Sequence, residues 1–361
     1  MKYSPPLKKI RVGILGATGT VGQKFIVLLA HHPWFEITAL AASHESAGKR
    51  YETVMENRWK QDVDMPSRIK RIIIRDSRPP LPCDFVFSGL DAHVAGDIER
   101  IFAKAGYPVV SNAKNFRMEH DVPLIIPEVN PDHLASIPVQ QKRRRWKGFI
   151  VTNPNCVAIP LAIALKPLHA ALGIKKVSVT SMQAISGAGY PGVPSLDILG
   201  NVIPYIGGEE PKVETEPLKL LGSYSRKGFS DAHITISAQC NRVPVHDGHF
   251  LTVSFSTKKP ATVARLRRLI QTYRGEPQKL KLPSAPKEPL IYLTDDTRPQ
   301  PRLDRNRSNG MAVTIGRLRV CPILGYKMVV LGHNTIRGAA GAAILNAELL
   351  YAKGHIAPRE K

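Results

Sequence analysis

An apolar run from Lys9 to Leu15 ends in glycine, apolar positions at helical spacing follow from Thr20 to His31, and a second apolar run spans Phe35 to Ala42. That succession predicts strand, helix and strand, a βαβ unit. Shorter apolar runs at Ile72 to Ile74, Asp84 to Ser88, Pro108 to Ser111 and Pro123 to Pro127 read as parallel strands, with a helix over Ala92 to Lys104. Parallel strands are covered on both faces, so near-continuous apolar stretches are the expected texture. The stretch Gly148 to Val151 ends in turn formers, and a helix-like apolar run begins at Val157 and continues to Leu172. From Lys175 the texture changes to longer alternating segments, Val177 to Ile185, Ile234 to Val243 and Phe250 to Ser256, which predict a largely antiparallel sheet. Helices over Pro194 to Ile206, Glu214 to Leu221 and Ala261 to Tyr273 would cover one face of it. The proline- and charge-rich stretch Gly275 to Arg307 reads as an excursion or subunit arm, and the alanine-rich segment Gly338 to Ala352 as a last helix suited to pack back on the first βαβ unit.

The chain has 361 residues, enough for two domains of ordinary size. The expected division is 1–155 plus the C-terminal helix region 336–361 for one, and 156–335 for the other. The fold class that follows is α/β, a Rossmann-type doubly wound domain completed by the C-terminal helix, plus an inserted α+β domain whose large sheet suits self-association. Cys83, Cys156, Cys240 and Cys321 are widely spaced with no CxxC pair, which argues against a disulfide framework or a zinc site and for a reducing compartment. The start, Met1 to Pro6, leaves no room for a signal or transit segment before the first strand, and the Val157 to Leu172 run is too short to span a bilayer. A soluble cytoplasmic protein with no membrane role and no metal is expected. The formal charge is +22. Its only dense cluster, Lys142-Arg143-Arg144-Arg145-Trp146-Lys147, lies in an apparent surface connection, so a nucleic-acid role is not favoured.

Gly13-Ile14-Leu15-Gly16-Ala17-Thr18-Gly19-Thr20-Val21-Gly22 follows a strand and opens a helix, the context that makes a glycine pattern a pyrophosphate site. Gly16, Thr18, Gly19, Thr20 and Val21 are the candidate contacts. After the second strand stands Ser43, where an NAD enzyme carries an acidic residue for the ribose hydroxyls. Ser43, Ser46 and Lys49 suit a 2′-phosphate instead, so NADP is the expected cofactor, with Glu45 as the dissenting residue.

Cys156 closes Thr152-Asn153-Pro154-Asn155-Cys156 at a predicted helix N-terminus, where the unpaired N–H groups favour thiolate over thiol. His249, in Pro244-Val245-His246-Asp247-Gly248-His249, is the natural acid-base partner, while His246 is expected to project elsewhere. The other three cysteines read as core residues.

These motifs sit in a chain that resembles aspartate-β-semialdehyde dehydrogenase, in the branch found in archaea and fungi, nearly end to end. The resemblance is carried by GATGTVGQKF, SAGKRY, FSGLDAHVAGDIE, SNAKNFR, VPLIIPEVN, TNPNC, QAISGAGYPGVPSLDILGNVIPYIGGEEPKVETE, CNRVPVHDGH and GHNTIRGAAGAAILNAELL. It implies NADPH-dependent reductive dephosphorylation of L-4-aspartyl phosphate to L-aspartate 4-semialdehyde through a cysteine thioester, on the way to lysine, methionine and threonine. It also implies a homodimer or homotetramer. In the roles it implies, Cys156 is nucleophile, His249 acid-base catalyst and Gln183 substrate-orienting. Arg242 clamps the α-carboxylate, Glu209 takes the ammonium, Lys212 and Arg117 take the phosphate, and Asn155 helps the oxyanion or phosphate. Ser186, Gly187 and Asn334 fall in cofactor-contacting segments. The residues after the nucleophile, Val157-Ala158-Ile159-Pro160, depart from the small hydroxylated ones common there, and Glu210 beside Glu209 leaves two registers open. Competing readings are a malonyl-CoA reductase, an N-acetyl-glutamyl-phosphate reductase, or a nucleic-acid-binding protein on this fold.

Overall fold

The computed structural model describes Pro6 and residues 8–359, so the expectation about the opening residues lies largely outside the described chain. The chain forms two compact units. Residues 1–125, 133–153 and 343–361 make the first, and residues 126–132 and 154–342 the second. Residues 126–132, 154–155 and 336–342, expected in the first domain, thus group with the second unit.

The first unit holds β1 (Ile10–Leu15), β2 (Phe35–Ala42), β3 (Arg75–Asp76), β4 (Phe85–Ser88), β5 (Pro108–Ser111) and β6 (Phe149–Thr152). All pair in parallel in the order β3-β2-β1-β4-β5-β6, the doubly wound arrangement whose strand order reverses beside β1. The strands are apolar because both faces are covered: Val12, Ile14, Leu15, Phe85, Val86, Phe87 and Val109 have no exposure at all. Helix Gly341–Ala352 contributes most of its length to this unit, where Glu348 pairs with His32 at 2.9 Å and Tyr351 packs on Trp34. Two predicted strands shrink. Ile72 to Ile74 yields only a bridge from Ile73 to Arg50 before β3. Pro123 to Pro127, whose two prolines bring no N–H to a ladder, yields only a bridge from Leu124 to Thr152. The basic run is the end of a helix, Ile137–Arg144, closed by left-handed Arg145. Arg144 bonds Asp121 and Glu119 and lies over the rings of Trp146 and Phe116, so this arginine is structural.

In the second unit β7 (Ile174–Gln183) is followed by the hairpin β8 (Ser223–Ser225) and β9 (Gly228–Ser230), then β10 (Thr235–Arg242), β11 (His249–Thr257), β12 (Leu290–Leu293), β13 (Val313–Cys321) and β14 (Gly325–Gly332). Its six-stranded sheet runs β10-β7-β11-β14-β13-β12. The centre is antiparallel as expected, but both edge pairs, β10 with β7 and β12 with β13, are parallel, so the sheet is mixed. The stretch Gly275 to Arg307 supplies β12 to that sheet and is more than an arm. The helix predicted over Pro194 to Ile206 is a single turn, Ser195–Ile198, broken by left-handed Gly200 and by Pro204. Helix Ala158–Leu172 is buried along almost its whole length.

Candidate active site

The end of one strand of the second unit, the end of its neighbour and the start of a third meet in one place. β10 runs parallel to β7 with Arg242 opposite Gln183 in register. β11 runs antiparallel to β7, so its first residue, His249, arrives at the same end of the sheet. Cys156 reaches them from the turn before helix Ala158–Leu172, with its Sγ 3.2 Å from His249 Nε2. That turn is held by Asn155. Its Oδ1 accepts from the N–H groups of Val157 and Ala158 at 2.8 and 3.2 Å, the work of an N-cap, and its own N–H donates to Glu216 Oε2 at 2.6 Å. Cys156 is thereby kept just ahead of the helix N-terminus, where the field favours its charged form.

Glu209 is the acidic centre of the cluster. Its Oε1 accepts from Asn155 Nδ2 at 2.8 Å and Gln183 Nε2 at 3.3 Å, and its Oε2 pairs with Lys212 Nζ at 2.9 Å. Burial opposes its ionisation, but the Lys212 charge and the Asn155 amide more than offset this and hold its carboxyl below the ordinary range. The spacing of three residues at the start of helix Glu210–Leu221 is what brings Lys212 back to it. Arg242 is nearly buried and donates through Nη1 to the Ala184 carbonyl at 2.8 Å. His249 is fully buried; burial first, and the nearby Arg242 charge second, push its pKa down to about 3. His246 is exposed and pairs with Asp247, as its position suggests.

The asparagine side chain expected to serve an oxyanion or phosphate has a supporting part as well. Asn155 Oδ1 is taken by the helix cap and one of the two Nδ2 hydrogens by Glu209, so this residue also supports the site from behind. Asn334 links Ser186 Oγ and the Gly248 N–H, both at 2.8 Å, bracing the segment just before His249. Gly187 stands so close to two of these side chains that a Cβ there would meet Arg242 Nη1 at 2.9 Å and His249 Cε1 at 3.0 Å.

In the first unit the turn after β1 matches the needs of a dinucleotide. Gly16 is left-handed at φ +73°, and a Cβ on it would meet the Gly89 carbonyl at 2.8 Å. Gly22 packs on the Gly16 carbonyl, where a Cβ would sit at 2.3 Å, and this closes helix Thr20–Leu29 onto the turn. Thr18, Gly19, Thr20 and Val21 lie along the open N-terminus of that helix, with Gly19 exposed. Ser43 and Lys49 are exposed after β2, whereas Ser46 is turned in and buried. Arg117 is nearly buried and donates to the Asn112 carbonyl at 2.7 Å.

Two domain families match the chain: residues 11–137 match "Semialdehyde dehydrogenase, NAD binding domain" and residues 165–337 "Semialdehyde dehydrogenase, dimerisation domain". The aspartate-semialdehyde dehydrogenase of Archaeoglobus fulgidus is 51% identical over 351 residues, covering 97% of this chain and 98% of its own. The chain belongs to the aspartate-semialdehyde dehydrogenase family. The Schizosaccharomyces pombe enzyme of that name is also 51% identical, over 95% of this chain and 98% of its own. The crystal structure of the Candida albicans aspartate-semialdehyde dehydrogenase with NADP aligns with a TM-score of 0.89 at 46% identity, covering 97% of this chain and all of that one. A more distant member, aspartate semialdehyde dehydrogenase II of Vibrio cholerae complexed with ASA, aligns at 0.76 with 25% identity, over 96% of this chain and 99% of that one.

Two members of this aspartate-semialdehyde dehydrogenase site are not evident from motif reading. Glu216 anchors the peptide before Cys156, and its signal is a carboxylate on the same buried helix face as Val213, Pro217 and Leu220. Ala184 acts through its backbone alone, which no side-chain pattern announces.

Proposed function

We propose that this chain catalyses the NADP-dependent interconversion of L-4-aspartyl phosphate and L-aspartate 4-semialdehyde plus phosphate. The observation that carries the reading is the convergence of Cys156, His249, Gln183, Arg242 and Glu209 in one unit, in a chain about half identical to enzymes of that name. Cys156 Sγ attacks the acyl carbon, and phosphate leaves to give a thioester. Bound NADPH supplies the hydride that reduces this thioester to the aldehyde. The positive-φ glycine turn, the open helix N-terminus and exposed Ser43 and Lys49 fit its pyrophosphate and 2′-phosphate.

Arg242 offers a planar fork for the α-carboxylate, and Glu209, kept ionised by its neighbours, offers the counter-charge for the α-ammonium. This pair favours a free amino acid over an N-acylated one or a CoA ester, which have no ammonium for Glu209. Gln183, already bonded to Glu209, orients the substrate at the sulfur. Lys212 is the proposed partner of the phosphate, with Arg117 as a second cation for it; Ser186, Gly187 and Asn334 are proposed to border the nicotinamide. The reaction belongs to lysine, methionine and threonine synthesis. The dimerisation-domain match supports a homo-oligomer, dimer or tetramer. The four unbridged cysteines support a reducing, cytoplasmic setting. Among the described residues no helix is long and apolar enough to cross a membrane.

Steady-state comparison of aspartate semialdehyde, N-acetylglutamate semialdehyde, and malonate semialdehyde with CoA tests the substrate. Preference for the first, lost when Glu209→Gln is made, is expected. Equal or better use of another donor contradicts the assignment.

A further inference from the structure

The peptide of Ala184 decides where the catalytic ring carries its proton. Its N–H donates to His249 Nδ1 at 3.1 Å, while its carbonyl holds Arg242 Nη1 at 2.8 Å. Ala184 has no exposure, so water does not substitute for the first bond. A ring nitrogen that accepts an N–H bears no hydrogen of its own. The proton of the neutral imidazole is therefore on Nε2, the atom 3.2 Å from Cys156 Sγ. A donor directed at the sulfur suits a thiolate far better than a thiol, whose sulfur accepts only weakly, and a second ring proton on Nδ1 would face the Ala184 N–H.

We propose that His249 works as a neutral, tautomer-locked Nε2–H donor, first to the Cys156 thiolate and then to the substrate oxygen, and not as the base that takes the Cys156 proton. This rests on reading the site as a semialdehyde reductase. On balance the burial and charges that act on the ring point the same way. Burial and the charge of Arg242 oppose a second proton, as does His333, and together they outweigh Glu209 and Asp247. A neutral imidazole used as an electrophile is an established way to stabilise a developing oxyanion.

The proton inventory closes on these terms. When the Sγ–C bond forms, the carbonyl π pair moves to oxygen and returns as the C–O bond to phosphate breaks. The single proton consumed overall goes from solvent to the departing phosphate. Once the thioester carbon has received hydride, the pair on its oxygen re-forms the carbonyl and the C–S bond breaks, releasing thiolate and aldehyde. That half-reaction leaves no proton transferred, so a donor that never gives up its Nε2 hydrogen is sufficient.

The test is 15N NMR of the full-length protein labelled at histidine, with the His249 signals assigned by their loss in His249→Gln. A neutral ring protonated at Nε2, unchanged between about pH 5 and 8, is expected. A proton on Nδ1, or a ring that gains a second proton in that range, overturns the proposal. Alkylation of Cys156 by iodoacetamide gives a second readout: a single rise with pH is expected, whereas a plateau bounded by two titrations marks a thiolate–imidazolium pair and overturns it. Neither readout depends on turnover. Protein that shows the Nε2–H ring but does not act on aspartate semialdehyde defeats the substrate reading and leaves the tautomer standing.

Discussion

At the scale of single residues, the site depends on geometry that small changes disturb. Arg242→Lys keeps the charge but loses the planar fork, so KM for aspartate semialdehyde should rise roughly tenfold to a hundredfold while the fold persists; steady-state kinetics with thermal melting checks this. Gly187→Ala places a Cβ about where Arg242 Nη1 and His249 Cε1 need their space. It should lower kcat by roughly tenfold or more with little change in Tm, because Gly187 is exposed and its φ is not left-handed. Cys156 and His249 stood out in the sequence by their turn and strand-start settings. The capping part played by Asn155 did not: nothing in a motif announces that its oxygen accepts from Val157 and Ala158 while its amide donates to Glu209.

At the scale of elements, helix Ala92–Lys104 carries a fully buried carboxyl, Glu99, which accepts from Ser111 Oγ at 2.7 Å. Burial raises it from 4.5 to about 7, against the hydroxyls of Ser88 and Ser111 and the Arg117 charge. A carboxyl raised on folding contributes stability in full below its unfolded value and loses that contribution as pH rises through the folded one. Folding stability should therefore fall by about 3 kcal/mol from this group between pH 5 and 8. Glu99→Gln should flatten that difference, and urea melts of both proteins at the two pH values measure it. Asn155→Ala should cost about 1 kcal/mol of stability through the lost cap and lower activity as well, measured on the same melts and by assay.

Element by element, the parallel unit was legible because buried strands such as β1 and β4 are apolar throughout and the helix between β1 and β2 keeps its period. The stretch around Leu196, Leu199 and Val202 mimics that period, but the three side chains are exposed, at 93, 68 and 54%, and Pro194, Gly200 and Pro204 leave one turn of helix. β13 is hard to see for a different reason. Left-handed Arg317 shifts its register against β14 between Gly316 and Arg319, so the alternation breaks in mid-strand.

At the scale of the molecule, two units divide the labour, a doubly wound one with the dinucleotide turn and a mixed-sheet one that holds the cysteine, the histidine and the candidate substrate groups. The C-terminal helix illustrates what sequence order hides: its apolar, alanine-rich texture suggested a return to the first unit, and Glu348 with His32 and Asn346 with Asn153 are the bonds that fasten it there. In the one dense basic run of this +22 chain, Arg144 is consumed by Asp121 and Glu119, while Lys142, Arg143, Arg145 and Lys147 stay exposed.

The most direct test of the account is phosphate-dependent reduction of NADP by the purified protein with aspartate semialdehyde, followed by NADPH absorbance alongside NAD and the Cys156→Ala variant. Turnover that requires phosphate, prefers NADP and falls at least roughly a thousandfold in the variant is predicted. Turnover that persists without Cys156, or no turnover of this substrate at all, would contradict it.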